Sequence, residues 1–395
     1  MSPKSLEGRR LGPYTLLEHL ASGGMAEIFL ARYEAPGADG FAKPVVLKVL
    51  QQRWAEEPEV LAMFLAEARL GAELRHPAIV DVHDAGEADG LRYIVMEHIE
   101  GRTLADLVLR SLEVSRPLPP AYAAFLAWQV ADGLAYLQDG VLGQGRPLEV
   151  VHRDLSPANL VVSHAGQTKI IDCGVAQRGG PTPAQVTLRP GKVSYMSPEQ
   201  VLGQPVDGRS DIFALGTILY EIAVGRRLWR GPAAVVMKRI VEEPPPPPSS
   251  LRRDLPRALD AVTMRALAKR PEDRHPSAAA LAEELGRVVA GAGGPVGNRQ
   301  IARFVAEVFA PEAAVSTRGA GRAAAFLDDD APADEVEPKP APAARRASDP
   351  SEAPVGIAPG APTAVPEARR RPVFAVTILF LIGVLAALAF TLARR

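Results

Sequence analysis

The stretch from Val151 to Gly174 constrains this chain more than any other. It reads Val-His-Arg-Asp-Leu-Ser-Pro-Ala-Asn-Leu-Val-Val, then a polar turn, then Lys-Ile-Ile-Asp-Cys-Gly. The apolar segments 160–162 and 169–171 flank a turn at His164, Ala165 and Gly166, which predicts a short antiparallel hairpin. Asp154 and Asn159 precede its first strand and Asp172 follows its second, so strand pairing carries all of them to one mouth. Oxygen donors of this kind suit Mg²⁺ carrying phosphate better than they suit a softer metal. Any one of these side chains is as readily a turn or cap residue. Their order and spacing together point to chemistry.

The arrangement resembles the protein kinase family, whose His-Arg-Asp loop, with Asn five residues later, precedes an Asp-Phe-Gly. The resemblance implies that Asp154 orients and deprotonates an accepting hydroxyl, and that Asn159 and Asp172 hold Mg²⁺. Cys173 stands where the family has Phe.

Upstream, Tyr14–Leu17 leads into the run from Leu20 to Ala31, in which Gly23 and Gly24 join two apolar segments as a hairpin. Backbone amides free of bulky side chains approach phosphate closely, although a plain hairpin turn accounts for the same residues. The family's first and third loop glycines are Ala21 and Ala26 here. In the strand Pro44–Leu50, alternation puts Lys48 on one face with Val46 and Leu50. A lysine there either snorkels to solvent or meets a partner. Pro58 opens a helix to about Leu74, on which Val60, Met63, Glu67, Leu70 and Leu74 share a stripe and Glu73 lies off it. A carboxylate among apolar neighbours needs a counter-charge, and Lys48 is the obvious one for Glu67. The family's strand lysine and helix glutamate form that pair against the nucleotide phosphates. The segment 92–101 reads as a strand ending in a turn, with Met96 either at the back of a pocket or an ordinary core methionine. The resemblance assigns ATP to Leu20, Ala21, Ser22, Gly23, Gly24, Met25, Ala26, Glu27, Ile28, Val46, Lys48, Met96, Glu97, Ile99 and Val161.

Residues 120–139 are an amphipathic helix with Phe125, Trp128, Leu134 and Leu137 on its core face. The polar segment from Val175 to Arg189 resembles an activation segment, with Thr182 and Thr187 as phosphorylation candidates beside Arg153. It closes on Ser197-Pro198-Glu199, where the family has Ala-Pro-Glu, and Arg274 is the implied partner of Glu199. Asp211 matches a family aspartate that braces the catalytic loop; as a bare feature it is an N-cap before an apolar helix. Serine/threonine members of the family usually carry a lysine two residues after the catalytic Asp, and a threonine after the glycine that ends the activation segment. Those positions are Ser156 and Lys192, so the charge has moved, and both are expected among the catalytic residues.

Charges nearly cancel, 45 Lys and Arg against 46 Asp and Glu, which predicts no nucleic-acid partner. A lone cysteine excludes an internal disulfide and fits a reducing compartment. Pro244–Pro248 reads as polyproline II, most simply a stiff loop between helices. Ile301, Phe304, Val305, Val308 and Phe309 trace one more amphipathic helix, docked on the large lobe. Residues 316–371, rich in Ala, Pro and both charges, are expected to be disordered. Residues 372–393 carry no charge and reach about 33 Å as a helix, enough for a bilayer core.

The expectation is therefore an α+β, bilobal protein-kinase fold. An N-terminal extension (1–11) precedes a small β-rich N-lobe (12–97) and a large helical C-lobe (98–290). A helical extension (291–315), a linker (316–371) and one C-terminal transmembrane helix (372–393) follow. The resemblance is to bacterial membrane-anchored serine/threonine kinases, which implies ATP and Mg²⁺ as cofactors and protein substrates carrying Ser or Thr. The apolar segment 372–393 is expected to be a single-pass inner-membrane anchor, and the need for ATP puts the kinase in the cytoplasm; a homodimer is left open. A membrane-anchored pseudokinase serving as a nucleotide-binding scaffold is the alternative, favoured by Ala21, Ala26 and Cys173 and opposed by the full catalytic set. A small-molecule phosphotransferase of similar fold is opposed by the Ser-Pro-Glu ending.

Overall fold

The first sheet carries apolar clusters on both faces of its central strands, and this decides how the chain layers. The structure is a computed structural model that describes residues 6–35, 41–140, 145, 147–172 and 192–310. Strands β1 (Arg10–Leu11), β2 (Tyr14–Ser22), β3 (Ala26–Glu34), β4 (Ala42–Leu50), β5 (Val82–Ala88) and β6 (Leu91–Glu97) form an antiparallel sheet in the order β1-β2-β3-β4-β6-β5. On β4 the period of two sends Val45, Leu47 and Val49 to one face, where they pack with Leu16, Phe29, Tyr93 and Val95. Val46, Lys48 and Leu50 take the other face, toward Phe64, Ala68, Ile94 and Met96.

That second face is covered by α1 (Pro58–Glu73), which begins with proline in its first turn. Its most buried residues are Phe64, Ala68 and Gly71. The expected stripe through Val60, Met63 and Leu70 is only half-buried, so Glu67 sits at the edge of the packed face. Gly71 sets the close approach to β5, since a Cβ there would lie 2.4 Å from a methyl of Val82. Glu73 is exposed.

The second lobe is helical around one large apolar cluster. It contains α2 (Leu104–Glu113), α3 (Pro120–Asp139), α4 (Pro198–Val201), α5 (Gly208–Val224), α6 (Ala233–Glu242), α7 (Pro248–Leu251), α8 (Arg257–Ala266) and α9 (Ala278–Ala290). Helix α5 is buried along nearly its whole length, which explains a sequence apolar on every side. Its N-cap is Asp207, whose side chain accepts from the Arg209 amide; Asp211 lies inside the first turn and has a different task. The proline run leads into α7 at Pro248. On α3, Phe125, Leu134 and Leu137 are buried, while Trp128 stays half-buried and stacks on Phe125.

A small sheet, β7 (Gly101–Thr103), β8 (Leu160–Ser163) and β9 (Thr168–Ile170), lies in the order β7-β8-β9. The hairpin is antiparallel, as expected, with Leu160 opposite Ile170 and Val162 opposite Thr168. Gly166 makes the turn at φ 82°. The last described helix, α10 (Asn298–Val308), buries Ile301, Phe304, Val305 and Val308 in the large cluster, and Arg110 Nε donates to the Val308 carbonyl at 3.3 Å. Among the described residues no helix is long and apolar enough to cross a membrane. The linker 316–371 and the segment 372–393 lie outside the described residues.

Candidate active site

Three segments distant in sequence meet at the mouth of the β8–β9 hairpin. The mouth is closed by the Ile171 amide, which donates to the Asn159 carbonyl at 3.0 Å and so holds Asp172 beside the end of the catalytic loop. Asn159 ends a 3-10 turn (Pro157–Asn159) and donates its amide N–H to the Asp154 carbonyl at 2.8 Å and to Asp154 Oδ2 at 3.4 Å. These bonds leave the Asn159 amide oxygen as what it can offer a cation.

Asp211 fixes the other end of the loop. Its buried carboxylate accepts from the amides of His152 and Arg153, both at 2.8 Å. Burial pushes the Asp211 carboxyl above its ordinary value, with His152 and these amides pulling against it. Arg153 sits at φ 65°, costly for a residue with a Cβ, and its carbonyl is held by Gln200 Nε2 at 2.9 Å. The strain is thus locked from both sides, directly before Asp154.

The strand lysine meets its expected partner and a second one. Lys48 Nζ lies 2.5 Å from Glu67 Oε1 and 3.2 Å from Asp172 Oδ1. Burial alone would lower the lysine's pKa, but Asp172 and Glu67 more than reverse this, and the ammonium is held charged. Burial, aided by Asp172, pushes the Glu67 carboxyl up against the pull of Lys48. Two carboxylates share one ammonium here, so the centre carries an excess negative charge. Among the described residues Glu67 Oε2 is buried without a hydrogen-bond partner. Excess charge and hard oxygens fit a divalent cation. Among the described residues no three His, Cys, Asp or Glu side chains group as a metal site. Asp172 and Asn159 offer two hard oxygens, which suits a metal such as Mg²⁺ that takes a few protein oxygens and completes its shell with phosphate and water.

Lys192 comes to the same place from the far side. Its ammonium ion-pairs with Asp154 Oδ2. It precedes the buried 3-10 turn Val193–Tyr195, whose Tyr195 hydroxyl donates to Glu221 at 2.8 Å, so the lysine stands on a rigid base. Ser156 is buried beneath the loop, and its hydroxyl has no hydrogen-bond partner among the described residues. Glu199 forms a two-pronged pair with Arg274, at 2.7 and 2.8 Å, as the resemblance implied.

The residues assigned to ATP divide. Ile28 and Val46 lie in register with Lys48 and Met96, and with Ile99 and Val161 they are half-buried, whereas Met96 is in the core. Leu20, Ala21, Ser22 and Gly24 are exposed, Gly23 and Met25 half-buried, and Ala26 fully packed opposite Leu50. Glu97 differs from the simple hinge picture: its carboxylate accepts from the Asp81 amide at 2.9 Å and pairs with Lys169. Glu27 is buried, with its carboxylate taken by Ser22 at 2.7 Å, Gln51 at 2.5 Å and His19 at 2.8 Å. Burial alone would raise its pKa, but these bonds hold it below the ordinary value. Lys169, Gln51 and Gln200 are site residues that sequence reasoning missed; only the charge of Lys169 inside a β-strand was a visible signal. Cys173, Thr182 and Thr187 lie outside the described residues.

Residues 14–285 match the protein kinase domain. The chain belongs to the protein kinase family. It is 40% identical over 279 residues to the tyrosine-protein kinase MasK of Myxococcus xanthus, covering 69% of this chain and 42% of that protein. It is 36% identical over 297 residues to the serine/threonine-protein kinase PknB of Mycolicibacterium smegmatis, covering 73% of this chain and 44% of that one. The chain thus spans less than half the length of these relatives. Among solved structures, the kinase domain of Mycobacterium tuberculosis PknI matches with a TM-score of 0.52 at 30% identity, covering 72% of this chain and 98% of that domain. The kinase fold, with its β-rich N-lobe and helical C-lobe, is shared.

Proposed function

We propose that this protein kinase is an ATP- and Mg²⁺-dependent serine/threonine kinase, tethered to the bacterial inner membrane, that phosphorylates proteins and its own activation segment. The observation that carries this reading is the joining of Lys48, Glu67 and Asp172 through one ammonium, beside a catalytic loop that presents Asp154 and Asn159. Bound Mg²⁺–ATP would supply the γ-phosphoryl group, with ADP as leaving group and Asn159 and Asp172 as the metal's protein ligands. Lys48 orients the nucleotide phosphates while Glu67 holds the lysine. Asp154 accepts a hydrogen bond from the substrate hydroxyl and takes its proton as the oxygen attacks phosphorus. Lys192, beside Asp154, places positive charge where the transferring phosphoryl carries negative charge, a role the uncharged Ser156 cannot fill.

The pseudokinase alternative, favoured by Ala21, Ala26 and Cys173, is opposed by the presence together of Lys48, Glu67, Asp154, Asn159 and Asp172. Serine and threonine are favoured by the PknB relatives. Tyrosine is the second reading, because MasK is named a tyrosine kinase. Incubating the protein with γ-labelled ATP, Mg²⁺ and a generic protein substrate, then hydrolysing the product to phosphoamino acids, separates the readings. Phosphoserine and phosphothreonine are expected; phosphotyrosine alone would select the second. The membrane tether rests on the uncharged apolar composition of 372–393.

A further inference from the structure

Three successive carbonyls of the glycine loop all bond to one short segment. Gln51 Nε2 donates to the Gly23 carbonyl at 3.3 Å, Trp54 Nε1 to the Gly24 carbonyl at 2.9 Å, and the Gln51 amide to the Met25 carbonyl at 2.9 Å. Gln51 follows directly on β4 and lies three residues past Lys48; Trp54 ends the 3-10 turn Gln52–Trp54. The Gln51 side chain is itself held by buried Glu27 at 2.5 Å, and Glu27 is held by Ser22 and His19. No feature of the family resemblance calls for either residue.

The geometry follows from the planar trans peptide, in which a carbonyl and the next residue's N–H point in opposite directions. Drawing the Gly23 and Gly24 carbonyls toward the 51–54 segment turns the Gly24 and Met25 N–H groups to the other side. Successive N–H groups facing one way make a concavity that binds anions. Gly23 cannot carry a side chain in this turn, because a Cβ would lie 2.7 Å from the Ala26 carbonyl.

We propose that Gln51 and Trp54 are positioning residues that clamp the glycine loop in its phosphate-binding shape, holding by side-chain contact a loop in which Ala21 and Ala26 replace two glycines. The clamp rests on the ATP-binding reading above and deepens it. Because the same segment continues β4, the loop and the Lys48 ammonium are set by one stretch of backbone. A held loop binds phosphate without first being ordered, so the clamp acts on affinity for the phosphates and not for the base.

The test uses the full chain in detergent, with Trp54→Phe removing the indole N–H while keeping an aromatic, smaller ring, and Gln51→Met removing the side-chain amide at nearly constant length. The ligands are adenosine and a Mg²⁺-loaded non-hydrolysable ATP analogue, with affinities measured by calorimetry. Each variant is expected to bind the ATP analogue about 5-fold or more weakly, the effect of losing one or two net hydrogen bonds, and adenosine as the parent does. The KM for ATP rises with a smaller effect on kcat. Addition of the analogue changes the parent's tryptophan emission, and Trp54→Phe abolishes the change. Unchanged or tighter binding of the analogue in both variants would overturn the clamp, as would an equal loss for adenosine and analogue, which marks general structural damage. A parent that binds neither ligand would overturn the ATP-binding reading itself, and the clamp with it.

Discussion

Lys192 and Glu199 sit seven residues apart and show two uses of an ion pair. Lys192 meets Asp154 at a half-exposed site, where its charge is available to a substrate. Lys192→Ala should lower turnover about 10²-fold with a smaller effect on ATP affinity, because charge developed in the transition state is what the ammonium meets. Ser156→Lys combined with Lys192→Thr should restore most of the loss; steady-state kinetics of the two proteins decide it. Glu199 is buried with Arg274. Burial alone would raise its carboxyl, but hydrogen bonds from Arg274 and Ser210 hold it below the ordinary 4.5. A carboxyl held low binds its proton later in the folded protein than in the unfolded chain. The pair therefore stabilises fully above about pH 4.5, and that stability is lost as pH falls through the folded value. Arg274→Met leaves a buried charge without its partner and should cost about 3–5 kcal/mol at neutral pH. Urea unfolding at neutral and acid pH should find this loss smaller in acid.

At the scale of elements, α10 is outside the matched kinase domain yet inside the core, with Ile301 and Val308 fully buried. Ile301→Ala should cost about 2–5 kcal/mol, read as a lower midpoint in denaturant unfolding at unchanged slope. This helix was legible in the sequence because its apolar period is clean. So was the Lys48–Glu67 pair, since strand alternation and a charge on an apolar face each demanded a partner. The hairpin mouth was legible for the same kind of reason, pairing being forced by two apolar runs around a glycine turn. What escaped was set by contacts that leave no period. Gln51 and Trp54 bond to backbone carbonyls, which every residue offers. Glu97 and Lys169 join strands of different sheets. Asp211 looked like a cap because an aspartate before an apolar helix does so; its helix begins earlier, at Gly208, and its carboxylate faces the catalytic loop. The stripe on α1 was misplaced toward Val60 and Met63 because both neighbouring rows are apolar, and only the glycine at 71 marks which row meets the sheet.

At the scale of the whole molecule, two lobes are joined at one charged centre, and the proposed tether lies in the apolar segment 372–393. Deleting 372–395 should release an active kinase from the membrane pellet, as read by fractionation and activity of the supernatant; a truncated protein that still pellets with membranes would contradict the anchor. The central claim is that the hairpin mouth transfers phosphate with Asp154 as proton acceptor. Asp154→Asn changes little volume and deletes that acceptor. Single-turnover transfer of the γ-phosphoryl from labelled ATP to a protein hydroxyl, measured for the parent and for Asp154→Asn alongside nucleotide affinity, tests it most directly. The account requires rapid transfer in the parent, and near-complete loss in Asp154→Asn with nucleotide affinity retained. A parent that binds ATP but transfers nothing, or an Asp154→Asn protein that keeps near-parental transfer, would contradict it.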